Sequence, residues 1–178
     1  MIARLVVPFA FALAATAAVA QTASPPANTA ARPAANIPAP ATPTFLAKTA
    51  AGNLFEIESS KVALANSNNS EVKLFAQKMV SDHGEAGRKF KQAVSEARLQ
   101  APPDKMDAKH EALVAQLKSM KGATFDAAYV AAQREAHVES VAMFGAYVAN
   151  GDNERMKKFA QEMLPTLQAH LDQVSRLR

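Results

Sequence analysis

The chain of 178 residues contains no cysteine. Disulfides, thiol nucleophiles, zinc–thiolate sites and a lipoprotein anchor are therefore excluded. Strand-like alternation of apolar and polar residues is also lacking. No glycine-rich phosphate loop, nucleophile–base pair or pair of carboxylates at glycosidase spacing occurs. Long apolar runs are confined to the N-terminus. A strong excess of one charge is missing too. The formal net charge is +4, but Arg4 and Arg32 lie outside the stretch expected to fold. Without them, 18 basic residues face 16 acidic ones, a net of +2. The short basic cluster Arg88, Lys89 and Lys91 is interleaved with no aromatic stripe and reads as a solvated helix face, so no nucleic-acid partner is expected.

The N-terminus has its own pattern. Arg4 precedes an apolar run from Leu5 to Val19, which closes on the small-x-small sequence Ala18-Val19-Ala20. This is the pattern of a cleavable secretory signal, residues 1–20, and implies a periplasmic location. Residues 21–44 are dominated by Ala, Pro, Thr and Asn with a single charge. Such a segment buries too little apolar surface to offset its ordering entropy and reads as an extended tether. Residues 45–178 are long enough for one domain with a core. None of its segments reads as a membrane span, so integral insertion is not expected.

Within that domain the apolar period is helical throughout. The expected elements are α1 over 44–64 with Thr44 as N-cap, α2 over 70–99, a short α3 over 107–120 stopped by Gly122, α4 over 124–149 with Thr124 as cap, and α5 over 153–177. Ala101-Pro102-Pro103 is read as the end of α2, and Pro165 as a kink in α5.

The chain repeats itself. ANSNNSEVKLFAQKM at 65–79 returns as ANGDNERMKKFAQEM at 149–163. An offset of 84 residues aligns Asn69 with Asn153, Phe75 with Phe159 and Met79 with Met163, and upstream Phe45 with Tyr129 and Ile57 with Val141. Each copy is the tip of a helical hairpin. Two duplicated αα-hairpins joined by a long crossover are the parts of an all-α four-helix bundle, here with a short extra helix in the crossover.

Tracing the buried stripes puts one histidine on each of three helices. On α2 the stripe is Val72, Phe75 with Ala76, Met79, His83, Ala86, Phe90, Val94 and Ala97. On α4 it is Tyr129, Gln133, His137, Val141, Phe144 and Val148. On α5 it is Met156, Phe159, Met163, Leu167, His170, Val174 and Leu177. On α1 the stripe is read as Leu46, Ala50, Ile57 and Leu64, with Asn53, Glu56 and Ser60 beside it. At about 1.5 Å per residue, Glu56 lies roughly 18 Å from its hairpin turn, His83 roughly 22 Å, His137 roughly 21 Å and His170 roughly 28 Å. In a bundle about 40 Å long, all four fall near its middle.

Two readings of this layer stand side by side. Buried imidazoles bonded to a carboxylate, hydroxyl or trapped water would fix helix register. Alternatively, His83, His137, His170 and Glu56 would hold a single transition-metal ion. A di-iron oxidase is disfavoured, because the chain has no Glu-x-x-His motif. His110 is expected on a solvated face, the methionines as core fillers, and Gly84 and Gly87 as a place of close helix approach. Buried neutral imidazoles also predict a loss of stability below about pH 6.

The segments AAGNLFEIESSKVAL, VKLFAQKMVSDHGEA, FDAAYVAAQREAHVESVAMF and MKKFAQEMLPTLQAHLDQVSRL resemble the domain of unknown function 4142 family across about 45–177. The resemblance implies a ferritin-like fold, a bacterial envelope location and no established activity. It points to Glu56, His83, His137 and His170 as the polar centre. The function expected from the sequence is that of an envelope module, non-catalytic, binding or structural and stress-related, with an envelope partner or a second copy as its counterpart. The alternative is a metal-binding protein.

Overall fold

The computed structural model describes residues 38–177, so the signal sequence and most of the tether expected for 1–37 lie outside the described residues. Five helices follow one another: α1 Thr42–Asn66, α2 Ser70–Glu96, α3 Ala108–Lys118, α4 Gly122–Asn150 and α5 Glu154–Val174. The all-α class is as expected, with no strand among the described residues.

α1 pairs with α2 and α4 with α5. α1 also packs on α4, and α2 on α5, closing a ring of four, while α3 lies against α1 and α4. Neighbours run antiparallel. The N-terminus of α1 meets the end of α4 where the Thr42 hydroxyl bonds the Tyr147 hydroxyl, and Ser60 near the far end of α1 reaches Tyr129 at 2.8 Å. The two hairpin turns therefore sit at opposite ends, and the 97–121 crossover spans the length of the bundle.

The duplication is visible in the caps. Asn69 accepts the Glu71 amide at 2.9 Å and opens α2, and its counterpart Asn153 accepts the Met156 amide at 3.0 Å and opens α5. Each satisfies a donor that the helix itself leaves orphaned.

Several helix ends differ from the sequence reading: α1 runs on to Asn66, α3 stops at Lys118 and α5 at Val174, and three other ends have a visible physical reason. α1 begins at Thr42, not Thr44: Pro43 suits the first turn, where an N–H would be unpaired anyway, and Asp152 from the opposite hairpin turn accepts the Thr42 amide at 3.1 Å. The last residues assigned to the tether are thus helix. α2 closes at Glu96, because Arg98 adopts φ 54° and the Leu99 amide bonds the Val94 carbonyl at 3.1 Å, a Schellman closure upstream of the prolines. α4 starts at Gly122, whose φ of +56° turns the chain into the helix, with Lys121 rather than Thr124 at the cap position. Pro165 lies inside α5, which continues through it.

The stripe assigned to α1 is also corrected. Its buried residues are Thr42, Phe45, Leu46, Thr49, Ala51, Phe55, Glu56, Ser59, Ser60, Ala63 and Asn66, whereas Ile57 and Leu64 are half-buried. Choosing the stripe by apolar residues alone missed a helix that buries six polar ones. His110 does not face solvent either: its side chain is 13% exposed and stacks on Phe55 with ring centroids 4.7 Å apart. Arg88, Lys89 and Lys91 are exposed, as expected.

The apolar core is in two pieces. One gathers Leu46, Phe90, Phe144 and Leu167; the other Ala63, Met79, Val130 and Val174. Along α1, α2, α4 and α5, Glu56, His83, His137 and His170 lie between the two pieces, together with Phe55, Ser59, Ser60 and Gln133. The ionisable layer therefore separates two greasy blocks.

Candidate metal centre

His83, His137 and His170 are 7%, 1% and 1% exposed. Their ring centroids stand 5.8 Å apart for His83–His137, 5.6 Å for His83–His170 and 5.4 Å for His137–His170. One nitrogen from each ring lies within 4.8 Å of the others. Three helices from both hairpins thus deliver the imidazoles that the stripes placed at mid-bundle.

Each ring is held by an acceptor, and the acceptor fixes the tautomer. His137 Nδ1–H donates to the Gln133 carbonyl at 2.8 Å. His83 Nδ1–H donates to Asn53 Oδ1 at 3.2 Å. His170 Nε2–H donates to Asp82 Oδ2 at 2.8 Å. A ring that donates through one nitrogen presents a lone pair on the other. Those others are His83 Nε2, His137 Nε2 and His170 Nδ1, all buried and all without a hydrogen-bond partner. Ring nitrogens oriented by a second hydrogen bond to a carbonyl or carboxylate are the usual supporting arrangement around a metal ion.

Electrostatics keeps the rings neutral. Burial pushes His83 down to about 3, and the neighbouring His137 and His170 add to this. Burial likewise takes His137 down to about 4, against the Gln133 carbonyl, which favours the charged ring. His170 is lowered by burial and held up in part by Asp82. Partial burial opposes ionisation of Asp82, but Lys78 at 2.6 Å and His170 outweigh it and hold the carboxyl below the ordinary range. The half-buried Lys78–Asp82 pair anchors His170 from the bundle surface.

Glu56 is placed differently from the three rings. Its Oε1 lies 3.7 Å from His137 Nδ1, the nitrogen engaged with the Gln133 carbonyl, not from the free Nε2. The separation is within ion-pair reach, yet both groups are driven to their neutral forms. Burial pushes Glu56 up to about 8, with relief from a Gln133 hydrogen bond. The carboxyl is therefore an uncharged neighbour of the imidazole trio at neutral pH. Ser59, which accepts from Gln133 at 3.0 Å, extends this polar strip along α1.

Two supporting residues escaped assignment to the site from the sequence. In the sequence Asn53 is only a polar neighbour of the α1 stripe, and Asp82 only one residue of the segment VKLFAQKMVSDHGEA. Gly87 lets Asn53 in: a Cβ there would lie 3.0 Å from Asn53 Nδ2. Gly84 faces open space, so only one of the two glycines marks a close approach.

Next to the rings is a cavity of about 60 Å³ whose walls include His83, His170, Asn53, Glu56 and Thr49. The donor set suits a transition ion. Neutral imidazole nitrogens bind zinc, copper, cobalt or nickel, whereas magnesium and calcium favour oxygen ligands.

The model of the family described as Domain of unknown function (DUF4142) matches residues 24–177. The chain belongs to this family. Neither a curated protein nor a solved structure matches it. As a DUF4142 member it carries no established activity with the fold, so function has to be read from the interior of the bundle. Among the described residues no helix is long and apolar enough to cross a membrane.

Proposed function

We propose that this DUF4142 protein binds one transition-metal ion through His83, His137 and His170, as an exported protein of the cell envelope. The observation that carries the reading is the set of three unpartnered lone pairs. A purely structural histidine layer would satisfy them, since an orphaned buried acceptor costs about 1–3 kcal/mol. A single water has two hydrogens and satisfies two of the three. A cation satisfies all three at once. The rings are already in the deprotonated, ligating form that metal binding otherwise has to create. The envelope location rests on Arg4, the apolar run after it and the Ala18-Val19-Ala20 motif. Glu56 is assigned a supporting place beside His137.

The test is equilibrium dialysis of chelator-stripped protein against zinc, copper or cobalt, followed by elemental analysis. One ion per chain is expected, lost in His137→Ala while the circular dichroism remains helical. No uptake, or equal uptake by the variant, would refute the proposal.

A further inference from the structure

Three nitrogens leave a transition ion short of its usual four or more ligands. No cysteine exists to complete the set, and among the described residues no carboxylate joins the three histidines within ligand distance of one another. What adjoins them is the cavity of about 60 Å³, whose walls include both His83 and His170. One water needs roughly 10–15 Å³ of such space, so the chamber has room for a small molecule and none for a metabolite of ordinary size. Much of its wall is apolar, with Phe90 and Leu167 contributing. Two polar oxygens interrupt that wall without partners of their own: Thr49 Oγ1, on a residue 8% exposed, and Glu56 Oε2, on a residue 4% exposed. Exposed Lys48 and Thr166 also border the chamber and give it a polar rim.

Resting on the metal reading above, we infer that the bound ion keeps an open coordination position facing this chamber, and that it takes a di- or triatomic ligand of the azide, peroxide or nitric oxide class. One end of the ligand binds the ion. The Thr49 hydroxyl donates to its far end, and the apolar wall offers competing water few partners. A structural metal site is closed by protein ligands; an open position beside a lined chamber is the arrangement of a site that handles an exogenous molecule.

The probe is azide, titrated into copper-loaded full-length protein whose metal content has first been fixed by dialysis. A new charge-transfer absorption that saturates with azide is expected. Ala86→Leu on α2 and Ser140→Leu on α4 each place bulk in the chamber wall and leave all three histidines in the chain. Both should keep one copper per chain and bind azide at least about tenfold more weakly. Thr49→Val keeps the volume, removes the hydroxyl and should weaken azide by about three- to tenfold. A copper-loaded chain whose spectrum ignores azide would overturn this inference and leave the metal site standing. So would azide binding that all three variants leave unchanged. A chain that takes up no metal would remove both.

Discussion

In the metal-free protein, Glu56 and the histidines pull stability in opposite directions with pH, and the balance predicts a maximum. The ordinary value is 6.5 for histidine and 4.5 for glutamate; folding moves His83 to about 3, His137 to about 4 and Glu56 to about 8. Between pH 6.5 and 8 the folded chain holds one proton that the unfolded chain has lost, on Glu56. Stability therefore falls as pH rises through that window. Between pH 4.5 and 6.5 the unfolded chain takes up two protons, on His83 and His137, that the folded chain refuses, against the one Glu56 retains. The balance reverses to one proton, and stability falls as pH drops. His170, lowered as well, adds to this limb. One net proton is worth about 1.4 kcal/mol per pH unit. The loss is then roughly 2–3 kcal/mol from pH 6.5 down to 4.5, and roughly 1–2 kcal/mol from 6.5 up to 8, with gradual titration allowed for. A domain of this size is typically stable by about 5–15 kcal/mol, so both limbs are measurable. Urea unfolding followed by circular dichroism, with chelator present, at pH 4.5, 6.5 and 8 reads them directly. Glu56→Gln should abolish the upper limb and steepen the lower one toward two net protons. A wild-type profile that is flat, or that keeps rising to pH 8, would refute the assignment of buried neutral forms, as would an upper limb that survives in Glu56→Gln.

Two glycines one turn apart should behave oppositely. Gly87→Ala drives a Cβ to 3.0 Å from Asn53 Nδ2 and should loosen the His83 bond and weaken metal uptake, whereas Gly84→Ala meets nothing within 4 Å and should raise the midpoint of urea unfolding, by up to about 1 kcal/mol. Asp82→Asn removes the carboxylate that orients His170 and should lower metal affinity by about 10- to 100-fold in a competition titration, with helicity unchanged. Asn153→Ala deletes the cap on the Met156 amide and should cost about 1 kcal/mol in urea unfolding while leaving metal stoichiometry intact.

The hairpin turns and the histidine heights were legible because they follow from local chemistry, whereas the caps read at Thr44 and Thr124 were not the ones the fold uses. An asparagine before a helix announces a turn, and a residue's distance from that turn sets its level in the bundle. The polar stripe of α1 was only partly legible: Glu56 and Ser60 were placed beside the stripe, but Ser59 looks like an outer face until its partner Gln133 on α4 is known. The start of α1 was hidden for the same reason, since the acceptor that caps it is Asp152, 110 residues away. The repeat also conceals the site. Its offset of 84 places His137 against Asn53, His83 against Leu167 and His170 against Ala86. The frame is duplicated but the ligand set is not, so no internal comparison points to the three rings. Which nitrogen of each ring is free depends on Asn53, Asp82 and the Gln133 carbonyl, two of them on other helices. Spacing along one helix carries no trace of that.

X-ray absorption spectroscopy at the zinc edge of the loaded protein bears most directly on the central claim. Three imidazole nitrogens are expected at about 2.0–2.1 Å from a single ion, with that scattering lost in His170→Ala. A shell of oxygens alone, or an unchanged spectrum in the variant, would place the ion elsewhere and contradict it.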